Sequence, residues 1–228
     1  FSFFTSDAAA LNGKVKGGTT ICKLIPQTIN LSLTGQTGTV VRWQYAESPY
    51  TSWTDIVNTT TSYILSNNPQ NTTAYRAILL NGSTYDFSDT ALIKVAQVTV
   101  PGSVTASQTQ VCAGSVVTFT LNGNNGGVVN WQYAQAPYTT WVDVNSTATS
   151  IQLTLTGNTQ VRAIVQSAPC YSDPSTSATV TVTPVGYFLQ NWQYWNQAQG
   201  WSCNQVPTIN TDVIIPGYTK YAVNPIIN

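Results

Sequence analysis

Few side chains in this sequence have a type and spacing that could support catalysis. The 228 residues include no histidine, and the only glutamate is Glu47. Without an imidazole there is no Ser–His or Cys–His nucleophile pair, and the commonest nitrogen ligand for metals is missing. A glycosidase needs two carboxyl groups at a fixed separation, and no such pair is evident around Glu47. We therefore expect a protein that is not an enzyme, with no catalytic residue, no cofactor and no metal site.

The cysteines are the other reactive side chains. Cys22, Cys112, Cys170 and Cys203 lie far apart in the sequence, and none belongs to a CxxC pair. This spacing argues against a zinc site. It leaves two alternatives, which are disulfide bonds in an oxidising compartment or buried free thiols.

Aromatic residues recur at a fixed spacing. The segment WQYAESPYTSW at 43–53 returns as WQYAQAPYTTW at 131–141, an offset of 88 residues with 8 of 11 positions identical. The similarity continues downstream, where Arg76-Ala-Ile is matched by Arg162-Ala-Ile, and Glu47 is replaced by Gln135 in the copy. The chain therefore contains two copies of one module of about 85 residues.

Strands must position these residues. Runs rich in Val, Ile, Thr and aromatic residues are separated by Gly, Asn, Pro and Ser clusters, and Val41, Trp43 and Tyr45 share one parity. These patterns predict an all-β fold of tandem immunoglobulin-like β-sandwich domains, followed by the start of a distinct β domain. The expected boundaries are 1–16 for the last strands of a preceding repeat, 17–100 and 101–184 for the two repeats, and 185–228 for a truncated β domain.

The charge balance narrows the range of partners. Only 7% of the residues are charged, with 8 Lys+Arg against 8 Asp+Glu. A neutral surface offers no basic face for nucleic acid or an anionic membrane. No apolar run approaches the ~20 residues of a membrane-spanning helix. We therefore expect no nucleic-acid partner and no membrane insertion.

The framework residues resemble those of a known family. The patterns Gly-x-Val-x-Trp-Gln, Trp-x-Asp-Ile/Val and Arg-Ala, followed by alternating Val and Thr, are similar to the Ig-like repeats of giant cell-surface adhesins of Bacteroidota, the SprB-like gliding-motility adhesins. The resemblance implies export by the type IX secretion system and display on the outer face of the outer membrane. It also implies neighbouring repeats of the same array, and the secretion or gliding machinery, as partners.

The cysteine positions within the second repeat predict one disulfide. Cys112 precedes the first strong strand and Cys170 lies in the turn before the last strand, so we expect a Cys112–Cys170 bond. Cys22 aligns with Cys112, whereas no cysteine of the first repeat corresponds to Cys170. Cys22 and Cys203 are therefore expected to be unpaired.

The repeated aromatic residues allow two interpretations. Rings on a β surface can stack on sugar rings, which would make them a carbohydrate contact. Alternatively, the tryptophans close the edge of each sandwich and the tyrosines pack across the Pro49 and Pro137 turns. The second interpretation is favoured because both copies keep the whole set, as framework residues do. The set is Tyr45, Tyr50, Trp53, Tyr133, Tyr138 and Trp141.

Some polar residues also recur or match a known signal. Arg76 and Asp55 have counterparts in the second copy and are expected to form a solvated ion pair. Ser88-Asp89 aligns with Ser172-Asp173, and these aspartates are expected to cap turns rather than bind calcium. Asp89-Thr90-Ala91 resembles the O-glycosylation signal of Bacteroidota, which makes Thr90 a candidate acceptor.

Together these features favour a non-enzymatic stalk segment of a large secreted adhesin, acting in gliding motility and surface attachment. The alternative is a carbohydrate-binding accessory module of a secreted polysaccharide-degrading protein, with extracellular polysaccharide as its partner.

Overall fold

The strands form two β-sandwiches, one for each copy of the repeat. The structure is a computed structural model that describes residues 12–186, 188–189, 196–208 and 213. Its regular elements are β-strands, apart from two short 3-10 turns near the C-terminus, so the predicted all-β fold of tandem immunoglobulin-like domains is confirmed.

The first sandwich packs a three-stranded sheet against a larger one. The small sheet has the order β1-β3-β6, and the larger has the order β2-β9-β7-β4-β5, with β8 pairing the far half of β7. Every pairing is antiparallel except β2 with β9, which is parallel. The strands are β1 (Lys14–Lys16), β2 (Thr19–Cys22), β3 (Ile29–Thr34), β4 (Thr39–Glu47), β5 (Thr54–Ile56), β6 (Ser62–Leu65), β7 (Thr73–Asn81), β8 (Thr84–Phe87) and β9 (Ala91–Ala96).

The second sandwich repeats this topology strand for strand. Its sheets have the orders β10-β12-β15 and β11-β18-β16-β13-β14, with β17 pairing β16, and β11 runs parallel to β18. The strands are β10 (Ser103–Ala106), β11 (Gln110–Cys112), β12 (Ser115–Asn122), β13 (Gly127–Gln135), β14 (Val142–Asp143), β15 (Ser150–Leu155), β16 (Thr159–Gln166), β17 (Ser172–Pro174) and β18 (Ala178–Thr183).

Each core is built around one tryptophan. Trp43 and Trp131 are both 0% exposed, and each is surrounded by apolar residues from both sheets of its own sandwich. The indole nitrogen of Trp43 donates to the Thr60 carbonyl at 2.9 Å, and that of Trp131 donates to the Ala148 carbonyl at 2.8 Å. A buried indole N–H without a partner would cost free energy, so this bond lets the ring lie at the centre of the core.

A β-bulge changes the predicted facing of β4. The pairing of β4 with β7 shifts between Val40 and Arg42, so Val40 faces the core in place of the expected Val41. The same shift occurs in β13, where Val128 is buried and Val129 is 44% exposed. An extra residue in one strand reverses the facing on one side of the bulge, which strict alternation did not predict.

The start of the first sandwich and one residue correspondence between the two repeats differ from the prediction. Lys14–Lys16 was assigned to a preceding repeat, but it pairs with β3 as the first strand of the first sandwich. The counterpart of Ser88 is Ser175 rather than Ser172, since Ala77 N–H donates to Ser88 Oγ and Ala163 N–H donates to Ser175 Oγ. The rest of the expected preceding repeat, residues 1–11, lies outside the described residues.

The chain divides into two compact units. The first comprises Phe1–Val98 with Ser167–Tyr171, and the second comprises Thr99–Gln166 with Ser172–Asn228. In the second unit, Phe188 forms an isolated bridge with Trp201, and their rings meet edge to face at 5.0 Å. The distinct β domain expected over 185–228 falls largely outside the described residues.

Candidate functional site

The outer face of the larger sheet carries a polar network in the first sandwich. Arg76 donates from Nε and Nη2 to Gln44 Oε1 at 3.0 and 2.8 Å. Gln44 Nε2 donates to Asp55 Oδ1 at 2.6 Å, and Arg42 Nε donates to the same oxygen at 3.0 Å. The expected direct pairing of Arg76 with Asp55 is therefore not seen, because Gln44 lies between them.

The second sandwich repeats this network with one substitution. Arg162 Nε donates to Gln132 Oε1 at 2.9 Å, and Gln132 Nε2 donates to Asp143 Oδ1 at 2.8 Å. Asn130 takes the place of Arg42 and donates to Asp143 Oδ1 at 2.7 Å. The glutamine of the Trp-Gln-Tyr sequence is thus the central residue of both networks. Its recurrence in both copies was the available signal, although sequence reasoning assigned it no role.

Each network is covered by an aromatic ring. The guanidinium carbon of Arg76 lies 3.8 Å from the centre of the Trp53 ring and 4.4 Å from that of Phe87. Arg162 lies 3.9 Å from the centre of the Trp141 ring. Each tryptophan is half-buried and presents a ring face to the guanidinium. These contacts hold the β4–β5 hairpin against β7 and the β13–β14 hairpin against β16.

The ionisation of the first network follows from these contacts. The hydrogen bond from Gln44, with the nearby charge and hydrogen bond of Arg42, lowers the pKa of the Asp55 carboxyl below its ordinary value of 3.8. Burial lowers the pKa of the Arg76 guanidinium below its ordinary value. Asp55 is thus held as a carboxylate that orients Gln44, which in turn presents its carbonyl oxygen to Arg76.

The repeated tyrosines have two different environments. Tyr50 and Tyr138 lie in the hairpin turns with φ of 65° and 63°, and their N–H groups donate to the carbonyls of Glu47 and Gln135, each at 2.7 Å. Tyr45 is half-buried instead, and packs against the core. Tyr50 and Tyr138 therefore form part of the hairpin turns, whereas Tyr45 and Tyr133 pack at the edges of the two cores.

An aromatic cluster occupies the core edge of the first sandwich. The ring of Tyr75 lies 6.2 Å from those of both Tyr45 and Tyr63, and Tyr63 lies 6.0 Å from Trp43. Desolvation of Tyr75, together with the nearby Tyr63, Tyr45 and Glu47, raises the pKa of its hydroxyl from 10.0 to about 12. Tyr75 therefore stays protonated in the folded state at pH values above 10.0, where an unperturbed tyrosine would ionise.

The second sandwich has a pocket at its corresponding core edge. Val161 is the strand partner of Tyr133, as Tyr75 is of Tyr45, so the second sandwich lacks the Tyr75 phenol. The pocket has a volume of about 240 Å³, and its lining combines the Tyr133 ring with amide, hydroxyl and leucine side chains. It is lined by Tyr133, Gln135, Leu153, Thr154, Leu155, Thr156 and Thr159.

All four cysteines are paired, but not as expected. The bonds are Cys22–Cys170 and Cys112–Cys203, so the predicted Cys112–Cys170 pairing is wrong, and Cys22 and Cys203 are not unpaired. The prediction treated each repeat as closed. The Cys170 loop belongs instead to the compact unit that contains Cys22, so the two sulfur atoms meet although 148 residues separate them in sequence.

The remaining predicted site residues lie near the N-terminal edge of the first sandwich. Thr90 is exposed immediately before β9, so its hydroxyl is accessible. Asp89 Oδ1 accepts from Val15 N–H at 2.5 Å, and Asp89 N–H donates to the Gly13 carbonyl at 3.1 Å. Asp89 thus ties β1 to the short segment between β8 and β9, so its side chain bonds a distant strand and not the local turn that it was expected to cap.

The described part of the chain contains neither a metal-binding cluster nor a membrane-spanning helix. Over residues 12–186 and the described C-terminal stretches, no group of three or more His, Cys, Asp or Glu side chains is arranged to hold a metal ion. No helix in the same residues is long and apolar enough to cross a membrane.

Comparisons with known proteins identify the repeat. The family model described as a domain of unknown function, DUF8696, matches residues 11–97 and again residues 100–184. No curated protein matches the chain. Similar solved structures include the chicken CNTN1 FN1–FN3 domains, at 16% identity over 76% of this chain and 66% of that chain, with a TM-score of 0.37. Others are murine CEACAM1b, at 11% identity over 75% and 99% with a TM-score of 0.43, and the Clostridium thermocellum CbhA fibronectin(III)-like modules, at 14% identity over 75% and 93% with a TM-score of 0.32.

Proposed function

The chain belongs to the DUF8696 family, with two copies of the domain in tandem, and we propose that it is a stalk segment of a large secreted cell-surface adhesin. In that role the chain carries no ligand site of its own. It extends a distal binding region away from the cell. Gliding motility and surface attachment are the processes that the sequence resemblance suggests.

The observation that carries the proposal is the use made of the residues that repeat. Trp53 and Trp141 each give a ring face to an arginine, and Gln44 and Gln132 each join that arginine to an aspartate. A recognition surface would keep such groups available for a ligand. Here their hydrogen-bonding and stacking capacity is spent within the sandwich, which is the pattern expected of a module repeated for its shape.

The surface and the disulfides support the same role. With 7% charged residues and balanced charge, the protein has little electrostatic attraction for ions or charged polymers. Its interactions with other molecules should therefore depend little on salt concentration. Disulfides form and persist in oxidising compartments, and the two bonds of this chain fit a protein displayed outside the cytosol. Export through the type IX secretion system is part of the proposal and is supported by the sequence resemblance.

The stalk role is tested by replacement in the parent protein. Deleting residues 11–184 in frame, the span of the two domain copies, should bring a distal epitope closer to the cell and weaken attachment. Inserting two unrelated β-sandwich domains of the same length should restore both properties, because only the reach matters. If the unrelated spacer restores the distance of the epitope but not attachment, the native surface itself contacts a ligand and the stalk proposal fails.

A second candidate function is carbohydrate binding, and the pocket beside Tyr133 is the observation that favours it. An aromatic ring next to amide and hydroxyl groups is suited to one sugar ring, and the first sandwich has Tyr75 next to the equivalent Tyr45. Pull-down on insoluble polysaccharides should then show binding by the intact chain. Tyr133→Ala should remove that binding, whereas the matched control Tyr45→Ala should keep it. Equal losses in both variants, or no binding at all, would count against this candidate.

A further inference from the structure

Cys22 and Cys112 occupy the same position in their two sandwiches. Each ends the short strand that runs parallel to the last strand of its own sandwich, with Cys22 opposite Ala96 and Cys112 opposite Thr183. Each is bonded to a cysteine far downstream, Cys22 to Cys170 and Cys112 to Cys203. The equivalent cysteine thus begins a long-range covalent link in both copies.

The two links overlap along the chain. Their cysteines follow the order 22, 112, 170, 203, so each covalent loop begins or ends inside the other. Overlapping loops leave a covalent shortcut in place when either bond is lost.

We infer that the Cys22–Cys170 bond is a covalent bypass that limits how far the chain can extend under tension, with Cys112–Cys203 as its reserve. The inference rests on the proposed stalk function, in which the chain carries load between its ends. The load passes from Cys22 directly to Cys170. Residues 23–169, which include β3 to β16, then lie outside the loaded path.

The chain connectivity sets the size of the effect. With both bonds intact, the loaded peptide between Cys22 and Cys203 is the stretch from Cys170 onward, 33 residues (203 − 170). Without disulfides it is 181 residues (203 − 22). At about 3.5 Å per extended residue, these lengths correspond to about 115 Å and about 630 Å.

The two bonds contribute unequally to this limit. Without Cys112–Cys203 the shortest covalent path remains the same 33 residues. Without Cys22–Cys170 it runs from Cys22 to Cys112 and across to Cys203, which is 90 residues (112 − 22). The Cys22–Cys170 bond is also the better protected, since Cys22 is 2% and Cys170 is 3% exposed, whereas Cys112 and Cys203 are half-buried. Access controls the attack of a thiolate on a disulfide.

The experiment is to stretch the full chain between handles at its two termini. Four forms are compared: the oxidised protein, the Cys112→Ser/Cys203→Ser variant, the Cys22→Ser/Cys170→Ser variant and the protein reduced with dithiothreitol. The handles and terminal segments are common to all four, so differences in fully unfolded contour length report the bypass directly. The reduced protein needs no substitution, which keeps the test valid if a variant folds poorly.

Relative to the oxidised protein, the form without Cys112–Cys203 should gain no contour length. The form without Cys22–Cys170 should gain 57 residues (90 − 33), about 200 Å, and the reduced protein should gain 148 residues, about 520 Å. Equal gains in the two variants, or no gain on reduction, would overturn the inference. These outcomes concern the isolated chain, whereas the stalk role is decided by the spacer replacement in the parent protein, so the two can fail separately.

Discussion

Arg76 is held between a ring and an amide, with its guanidinium carbon 3.8 Å from the centre of the Trp53 ring and two of its nitrogens bonded to Gln44 Oε1. The same relationship recurs between Arg162 and Trp141. It joins the β4–β5 connection to β7 in the first sandwich and the β13–β14 connection to β16 in the second. A cation over an aromatic face is worth about 0.5–2 kcal/mol depending on desolvation, so the contact is large enough to fix the hairpin.

Removing Trp53 should therefore loosen the first sandwich alone. We expect Trp53→Ala to lower its free energy of unfolding by about 2 kcal/mol, because the apolar contact and the stacking on Arg76 are both lost. Native-state hydrogen exchange of the Trp43 and Ala77 amides measures this loss, with the second sandwich of the same molecule as the reference. Trp141→Ala is the matched variant and should shift the loss to the second sandwich. Loss of protection in both sandwiches from either variant would contradict a local role.

Asp55 should make the first sandwich sensitive to acid. Its folded-state pKa is lowered below 3.8, first by the hydrogen bond from Gln44 and then by Arg42. A lowered pKa means that the stabilisation is present above pH 3.8 and is lost as the pH falls through the folded-state value. Asp55→Asn should therefore flatten the stability profile below about pH 4. An NMR titration of the carboxyl group gives the direct check, and both Gln44→Leu and Arg42→Ala should raise the pKa of Asp55.

Tyr75 should have the opposite effect at alkaline pH. Its pKa is raised to about 12 by burial and by the neighbouring Tyr63, Tyr45 and Glu47. The unfolded chain releases this proton near pH 10, so the stabilisation is complete below pH 10 and is lost as the pH rises towards 12. Absorbance titration should show one tyrosine ionising late, and Tyr75→Phe should remove that late component. Its persistence in the Tyr75→Phe variant would assign the high pKa to another tyrosine.

The sequence predicts what local pattern determines, and the structure departs from it where distant segments meet. The alternation around Trp43 and its copy at Trp131 is enough to predict the sandwich fold and its central tryptophans. The bulge that brings Val40 inward cannot be predicted this way, because it depends on the pairing with β7. The cysteine pairing fails for a similar reason, since Cys22 and Cys170 are 148 residues apart.

The candidate site shows the same division. Arg76, Asp55 and Trp53 were identified because they recur, and the structure brings all three around Gln44. The direct ion pair expected between Arg76 and Asp55 does not form. Arg76 donates to the side-chain oxygen of Gln44, and Asp55 accepts from the side-chain nitrogen of the same residue. An amide offers a donor and an acceptor on opposite sides, so it can join two charged groups that a list of charges would pair directly.

One pair of neighbouring residues on adjacent strands differs between the two cores in which strand carries the larger side chain, and this gives a final prediction. Leu31 pairs with Tyr63 in the first sandwich, while Phe119 pairs with Ile151 at the equivalent position of the second. A large residue thus faces a smaller one in both cores, but on opposite strands. Phe119→Leu alone should leave a cavity at a residue that is 0% exposed and destabilise the second sandwich by about 1–2 kcal/mol.

Adding Ile151→Tyr to Phe119→Leu should restore part of that loss, because it recreates the pairing of the first sandwich. Residues in contact show coupling energies of about 0.5–3 kcal/mol in double-mutant cycles. Ile151→Tyr alone should overpack the core and destabilise it, so the double variant should be more stable than the sum of the single changes allows. Urea unfolding of the four forms provides the cycle, and strictly additive free energies would show that the two positions do not share one volume.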